Sequence, residues 1–145
     1  MAELVFRSVN IRRTNRSIYF WIADGWIDAI PAVRGVDTVV PGRHGRTERN
    51  RMKDYRRVVL NGSIKAATTA AFYALLQEMD DIIDPSLAPA DLVVADGYKG
   101  LGGGVTATLV ARTLNFIGEE QETELHRLYT WELECTENPP EWTIT

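Results

Sequence analysis

Residues 128–135 read Leu-Tyr-Thr-Trp-Glu-Leu-Glu-Cys, the strictest alternation of apolar and polar side chains in the chain. Successive side chains of a β-strand point to opposite faces, so this period of two predicts a strand with one buried face. The buried face consists of Tyr129, Trp131, Leu133 and Cys135, and the outer face of Thr130, Glu132 and Glu134. Such a strand needs a second layer to cover its apolar side.

Two further stretches upstream have the same period. Residues 55–64 place Val58, Leu60 and Ile64 on one face, which predicts a second strand. Residues 92–95 form a short apolar run that a turn at Asp96-Gly97 closes, which predicts a third.

The stretch 105–116 alternates but changes phase. Apolar side chains recur at every second residue from 105 to 111, whereas Leu114 and Phe116 are out of phase with that series. A β-bulge inserts one residue into a strand and shifts its phase by one. We therefore expect a bulge or bend near Arg112.

Shorter apolar runs occupy the N-terminal part of the chain. They predict a first hairpin from 5–11 and 18–22, a short strand that starts at Trp26 and Ile27 and ends before Pro31, and another strand at 36–40. Neither the two-residue period of a strand nor the three-to-four-residue spacing of a helix appears in 41–53, which is therefore predicted to be a long irregular loop.

One helix is predicted, over 68–83. Its apolar residues recur at spacings of three and four: Phe72, Leu75, Leu76, Met79, Ile82 and Ile83. Thr68 or Thr69 is suited to cap its start, and Asp84-Pro85 ends it.

These elements predict the fold class. About seven to nine strands with one helix in the middle of the chain favour a mainly β (α+β) domain, an antiparallel sandwich or barrel with one flanking α-helix. The length of 145 residues corresponds to a single domain, 1–145, from which the loop at 41–53 extends.

Composition excludes several classes of protein. Hydrophobic residues make up 45% and charged residues 25% of the chain, as in globular proteins. One cysteine and two histidines cannot form a disulfide scaffold or a multi-cysteine zinc site. No apolar run approaches the roughly 20 residues of a membrane span, and the N-terminus does not resemble a signal peptide. We expect a soluble protein of a reducing compartment, with no metal and no cofactor.

Motifs that suggest chemistry have simpler explanations. The glycines at 100 and 102–104 precede a predicted strand, whereas a phosphate-binding loop precedes a helix. His44 and His126 have no nucleophile beside them, and Cys135 lies on the inward face of its strand. The sequence therefore predicts that the protein is not an enzyme.

Charge is distributed unevenly. Residues 1–65 contain 13 Lys and Arg against 6 Asp and Glu, and residues 66–145 contain 3 against 14. This asymmetry suits nucleic-acid binding, a chain that contacts copies of itself head to tail, or two solvated faces.

The segment 41–53 concentrates the positive charge. It carries Arg43, Arg46, Arg49, Arg51 and Lys53 against Glu48. Long irregular segments in compact domains are usually functional or disordered. This one could be solvated, contact nucleic acid, or reach an acidic surface on a neighbouring subunit. A pI of about 5.2 and the lack of a recognition motif disfavour nucleic acid.

Five stretches together resemble a known family. They are RGVDTVVPGRHGR at 34–46, RRVVLNGSI at 56–64, a helix that ends in Asp84-Pro85, WELEC at 131–135, and PEW at 140–142. In this order and spacing they resemble the small distal tail proteins of long-tailed, siphophage-type bacteriophages.

The resemblance implies a fold and a function. It implies a tail-tube-type β-sandwich with one flanking helix that assembles as a hexameric ring at the tail tip of the virion, after synthesis in the host cytoplasm. Its partners would be copies of itself, the tail tube protein and the tail-tip hub, with DNA only in transit and no membrane contact. Larger members add a carbohydrate-binding module, for which 145 residues leave no room. A tail tube protein, a tail-completion protein and a DNA-binding accessory protein are the alternatives.

The subunit interface is expected to join the two charged segments. Arginine pairs well with carboxylates, and the stretch 119–124 offers four of them. We predict that Arg43, Arg46, Arg49, Arg51 and Lys53 of one subunit meet Glu119, Glu120, Glu122 and Glu124 of the next.

Overall fold

The computed structural model describes residues 3–23, 26, 29–31, 33–38, 41–42, 47–53, 55–95, 104–119, 125–137 and 139–145. The strands are β1 (Glu3–Phe6), β2 (Val9–Asn10), β3 (Ile18–Ile22), β4 (Val33–Thr38), β5 (Thr47–Lys53), β6 (Arg56–Lys65), β7 (Ala90–Ala95), β8 (Thr106–Gly118), β9 (His126–Cys135) and β10 (Thr143–Ile144), and the helix is α1 (Thr69–Ile83).

Eight of these strands form one antiparallel sheet that closes on itself. Seven follow the order β2-β1-β7-β8-β9-β6-β3, and β10 pairs beside β8. Residues 11–13, which follow β2, join the two ends of this order: Ile11 donates to the carbonyl of Leu4, and Phe20 donates to the carbonyl of Ile11. Closure leaves few unpaired strand edges. The predicted fold class, an antiparallel sandwich or barrel with one helix, is confirmed.

β8 belongs to both layers of the barrel. Its first half pairs with β7 and its second half with β9, and the register shifts between Thr113 and Asn115. The extra residue is Leu114, so the predicted bulge is confirmed two residues beyond Arg112. This irregularity lets one strand turn from one layer into the other.

Trp131 of β9 lies at the centre of the core and is completely buried. Its ring centroid lies 5.3 Å from that of Phe6, 5.6 Å from that of Phe20 and 5.9 Å from that of Phe116, each in an edge-on arrangement. The indole Nε1 donates to the hydroxyl of Thr113 at 3.1 Å, which satisfies both buried polar groups. The predicted inward faces of β6 and β9 are confirmed, because all their members are buried.

Helix α1 begins and ends as predicted. The hydroxyl of Thr68 accepts a hydrogen bond from the amide of Ala71 at 3.2 Å, and the helix ends at Ile83. Its buried side consists of Phe72, Met79, Ile82 and Ile83, with Leu75 and Leu76 packed against the core from its margin.

The predicted N-terminal hairpin is partly wrong. Residues 5–11 do not form one strand, because Arg7 and Ser8 have positive φ angles of 50° and 64° and turn the chain back between β1 and β2. Only 11–13 pair with β3.

The strand predicted at Trp26 is also wrong, since the amide of Trp26 donates to the carbonyl of Ala23 in a turn. Ile27 lies outside the described residues.

The irregular loop predicted at 41–53 is wrong for its second half. Residues 47–53 form β5, which pairs with β4 from Thr38↔Thr47 to Val33↔Lys53, with an irregularity between Arg34 and Val36. We call β4 and β5 the arm. In the described part of the chain they form a separate two-stranded sheet. β4 corresponds to the strand predicted at 36–40, displaced toward the N-terminus.

Candidate assembly surfaces

The arm contains part of the predicted basic site. Arg49, Arg51 and Lys53 lie in β5, with Arg49 opposite Val36 and Lys53 opposite Val33 in the backbone register. Arg43 and Arg46 lie outside the described residues. A two-stranded ribbon on its own is marginally stable in water.

Arg56, the first residue of β6, contacts the segment that precedes the arm and the C-terminal segment. Its Nη1 donates to the carbonyl of Ala29 at 2.5 Å and its Nε donates to the carbonyl of Pro140 at 2.8 Å. One guanidinium thus ties the segment before the arm to the C-terminal segment. Sequence reasoning missed this role, because Arg56 is one of several arginines in a basic stretch and nothing local marks its acceptors.

The predicted acidic site, residues 119–124, joins β8 to β9. Glu119 is exposed and its amide donates to the carbonyl of Leu128 at 2.9 Å. On the other side of the connection, the carbonyl of Leu125 accepts from the amide of Ala66 at 3.0 Å. We call this segment the acidic connector. Glu120, Glu122 and Glu124 lie outside the described residues.

The arm and the acidic connector join the barrel at opposite ends of β6. The arm leaves the barrel after β3 and returns at Arg56, whereas the connector leads into His126, which pairs with Lys65 at the far end. Ten residues of strand separate these ends by about 30 Å.

The outer face of β3, β6 and β9 carries an aromatic and basic cluster that the sequence analysis did not single out. The guanidinium of Arg12 donates to the hydroxyl of Tyr19 at 3.1 Å, and that of Arg16 lies 5.1 Å from the Tyr19 ring centroid. Trp21, 40% exposed, lies beside Tyr19 with 5.8 Å between ring centroids. The signal was present in 18–22, where Tyr19 and Trp21 alternate with the apolar residues that β3 buries.

Ion pairs occupy the other part of the same face. Arg57 contacts Glu132 at 2.5 Å, and Arg112 contacts Glu134 at 2.8 Å. Hydrogen bonding to Glu132 raises the pKa of the Arg57 guanidinium above its usual value. Both pairs are partly exposed, and solvent-screened pairs of this kind contribute little to stability.

Groups with shifted pKa values do not form a catalytic set. Burial raises the pKa of the Cys135 thiol, which is 1% exposed, and so confirms the expectation of a small buried hydrophobe. Burial also raises the pKa of Tyr129, and hydrogen bonds from Ser86 lower the pKa of Asp84. No three His, Cys, Asp or Glu side chains of the described residues come together as metal ligands would.

The described chain contains no helix with the length and apolar character that crossing a membrane requires. The described residues define a class of fold: a closed antiparallel β-domain with one flanking helix and a separate two-stranded sheet.

A known structure has a similar fold. The chain superposes on the crystal structure of the SPP1 Dit (gp 19.1) protein, a hub adsorption apparatus protein of phages that infect Gram-positive bacteria, with a TM-score of 0.70 and 9% identity over 94% of this chain. The chain spans about half of that protein, 50% of its length. The baseplate of the anti-feeding prophage AFP gives a TM-score of 0.47 and 13% identity over 99% of this chain and 90% of that one.

Sequence comparison adds no relative. No family model matches the chain, and no curated protein matches it. The likeness to Dit is therefore one of fold, as the distal-tail resemblance predicted.

Proposed function

We propose that this protein is a structural subunit of a ring at the distal end of a phage tail, where it connects the tail tube to the tail tip and the host-binding apparatus. The observation that supports the proposal is that the basic arm and the acidic connector attach at opposite ends of β6, in a fold similar to that of a phage hub protein. Ring subunits need two different complementary surfaces, because each subunit contacts the next head to tail.

The arm and the acidic connector are these two surfaces. The points at which they join the barrel are about 30 Å apart along β6, and β5 itself is about 23 Å long. The two segments of one subunit therefore face different neighbours. The connector of the next copy is then the partner that the arm reaches.

Side-chain chemistry matches the two surfaces. Five basic residues, Arg43, Arg46, Arg49, Arg51 and Lys53, face four carboxylates of the neighbour, Glu119, Glu120, Glu122 and Glu124. Guanidinium groups pair with carboxylates through two parallel hydrogen bonds. The pairing therefore fixes the register of the contact in addition to matching opposite charges.

Six copies close the ring, and its axial neighbours are the tail tube protein and the tail-tip hub. The subunit is made in the host cytoplasm and ends in the virion tail. DNA crosses the ring only in transit. A channel lined with arginine would hold a polyanion by its phosphates, so the arms point at protein and away from the channel.

Charge reversal in the arm tests the proposal. Arg49→Glu with Arg51→Glu should leave a folded subunit, measured by circular dichroism and thermal melting, but abolish ring formation and tail assembly. The matched control, Arg49→Lys with Arg51→Lys, keeps the charge and should retain assembly. Tails that form normally with the reversed arm would contradict the proposal.

The alternatives predict other outcomes. A tail tube or tail-completion protein would form a similar ring, but electron microscopy of tails would locate it along the tube or at the head-proximal end. A DNA-binding accessory protein would bind duplex DNA with an affinity that falls steeply with salt, and the reversed arm would abolish that binding.

A further inference from the structure

A hollow of about 740 Å³ lies between the turn at 15–17 and the first half of α1. Its floor consists of small apolar side chains and one leucine: Ala66, Ala67, Ala71, Ala74 and Leu75. Arg16 and Lys65 also line it, and an ion pair between Arg13 and Glu78 of α1 fixes the adjacent turn against the helix. We call this hollow the alanine groove. Its volume is in the range of cavities that bind another molecule.

The exposed side of α1 next to the groove is apolar. Residues 66–77 contain no charged side chain, and Tyr73 is 66% exposed beside exposed Ala70 and Ala74. Helices on a protein surface normally place charged and polar residues on the outer side. An uncharged outer side beside a large hollow is typical of a surface that another chain covers.

The groove has a positive rim. Arg16 and Lys65 line it, and no carboxylate of the described residues lies within ion-pairing distance of either one. The occupant that such a groove fits has an apolar side chain for the alanine floor and carboxylates for the rim.

The opposite end of the same helix presents this combination. Asp80, Asp81 and Asp84 are exposed in and just after the last turn, and Leu87 follows with 38% of its surface exposed. The carboxylates meet the negative end of the helix dipole, and the last turn contains no basic residue. Arg7 donates to the carbonyl of Ile82 and its charge also acts on Asp84, whose carboxylate accepts from the hydroxyl and amide of Ser86. Among the described residues Asp80 and Asp81 have no such partner, and a cationic partner would relieve their repulsion with the helix dipole.

We propose that the segment from Asp80 to Leu87 of one copy docks in the alanine groove of a second copy, with Leu87 on the alanine floor and the aspartates on Arg16 and Lys65. The two surfaces lie along one helix, about 8 Å apart at Leu75 and Asp80 and about 20 Å apart at Ala71 and Asp84, and a helix cannot fold back on itself, so the contact is between chains. Because the contact joins two different surfaces, it repeats head to tail from one copy to the next. The inference rests on the proposed ring and adds a second contact to it, distinct from that of the arm.

A charge swap between two variants tests the contact. Arg16→Glu with Lys65→Glu, and separately Asp80→Lys with Asp81→Lys, should each weaken self-association in sedimentation velocity by about tenfold or more. A one-to-one mixture of the two variants should regain it, because each reversed groove then meets a reversed segment. Asp91→Lys, an exposed carboxylate on β7, is the matched control and should have no effect.

Three results would overturn the inference: a wild-type chain that stays monomeric at every concentration reached, variants that associate like wild type, or a mixture that does not recover. Tail assembly with the arm variants separates this outcome from the proposed function. If the reversed arm blocks assembly while the groove variants assemble normally, the ring proposal holds and the groove contact is wrong.

Cysteine crosslinking gives an independent measurement. The double variant Ala74→Cys, Leu87→Cys should form a ladder of disulfide-linked species above the dimer on oxidation, and each single variant should not. The native Cys135 is buried and should form no crosslink. A dimer as the largest product would indicate a two-fold contact and overturn the head-to-tail arrangement.

Discussion

The barrel and the arm differ in what holds their strands together. β6 and β9 pair over ten residues, and each turns one face into a core that contains Leu60 and Trp131. β5 pairs only with β4 among the described residues, and its seven residues include a single apolar one, Met52. Burial of one face stabilises the strands of the barrel within one subunit, whereas the sequence of β5 offers few side chains for a core. The barrel therefore determines the fold, and the proposed ring assigns the arm to assembly.

Removal of the largest core side chain tests the barrel half of this comparison most strongly. Trp131→Ala should lower the free energy of unfolding by about 3–5 kcal/mol, because the cavity it leaves is enclosed by three aromatic rings. The measurement is urea denaturation. Trp21→Ala is the matched control, since Trp21 is 40% exposed, and should cost about 1 kcal/mol or less. Equal costs for the two variants would show that burial does not determine how much a side chain of the barrel contributes to stability.

Overfilling the barrel should have the next largest effect. A Cβ added at Gly62 would lie 2.4 Å from both the Phe20 ring and the carbonyl oxygen of Tyr19, so Gly62→Ala should destabilise the protein by about 3 kcal/mol. The same change at Gly118, where the nearest atom is a Tyr129 ring carbon at 3.1 Å, should cost less. A thermal melt of Gly62→Ala that matches wild type would contradict the packing of β3 on β6.

Loss of the helix cap should have a smaller effect. Thr68→Ala removes the acceptor for the Ala71 amide and should cost about 1 kcal/mol, whereas Thr68→Ser should retain most of the stability. If both variants lose the same amount, the methyl group and not the cap is responsible.

The arm should contribute least to the stability of the isolated subunit. Arg49→Ala should change the free energy of unfolding by no more than about 0.5 kcal/mol, as substitutions outside a core usually do. A larger loss in a monomeric sample would mean that the arm packs on its own barrel, and the distinction between the two regions would no longer hold.

Patterns that burial imposes were visible in the sequence. The inward faces of β6 and β9, the helix from Thr69 to Ile83 and the phase change in β8 all follow from alternation or helical spacing. Each of these elements has one side in the core, so its period is recorded in the order of apolar residues.

Features held by backbone geometry or by distant partners were not visible. Arg7 and Ser8 turn the chain with positive φ angles although neither is glycine or asparagine, the usual residues of such turns. β5 has no apolar period in its sequence, so only its pairing with β4 in the structure identifies it as a strand. The groove beside α1 depends on a turn and a helix that the fold alone brings together.

The pairing of β1 with β7 has a consequence for the newly made chain. Glu3 lies opposite Ala95, so the first strand of the barrel cannot be completed until more than ninety residues have been synthesised. During translation β1 can pair with β2 on one edge, but its other edge has no partner until β7 is made, and contacts of such long sequence separation form slowly. We expect a ribosome-bound nascent chain that ends before β7 to remain sensitive to protease, and one that extends beyond β9 to become resistant.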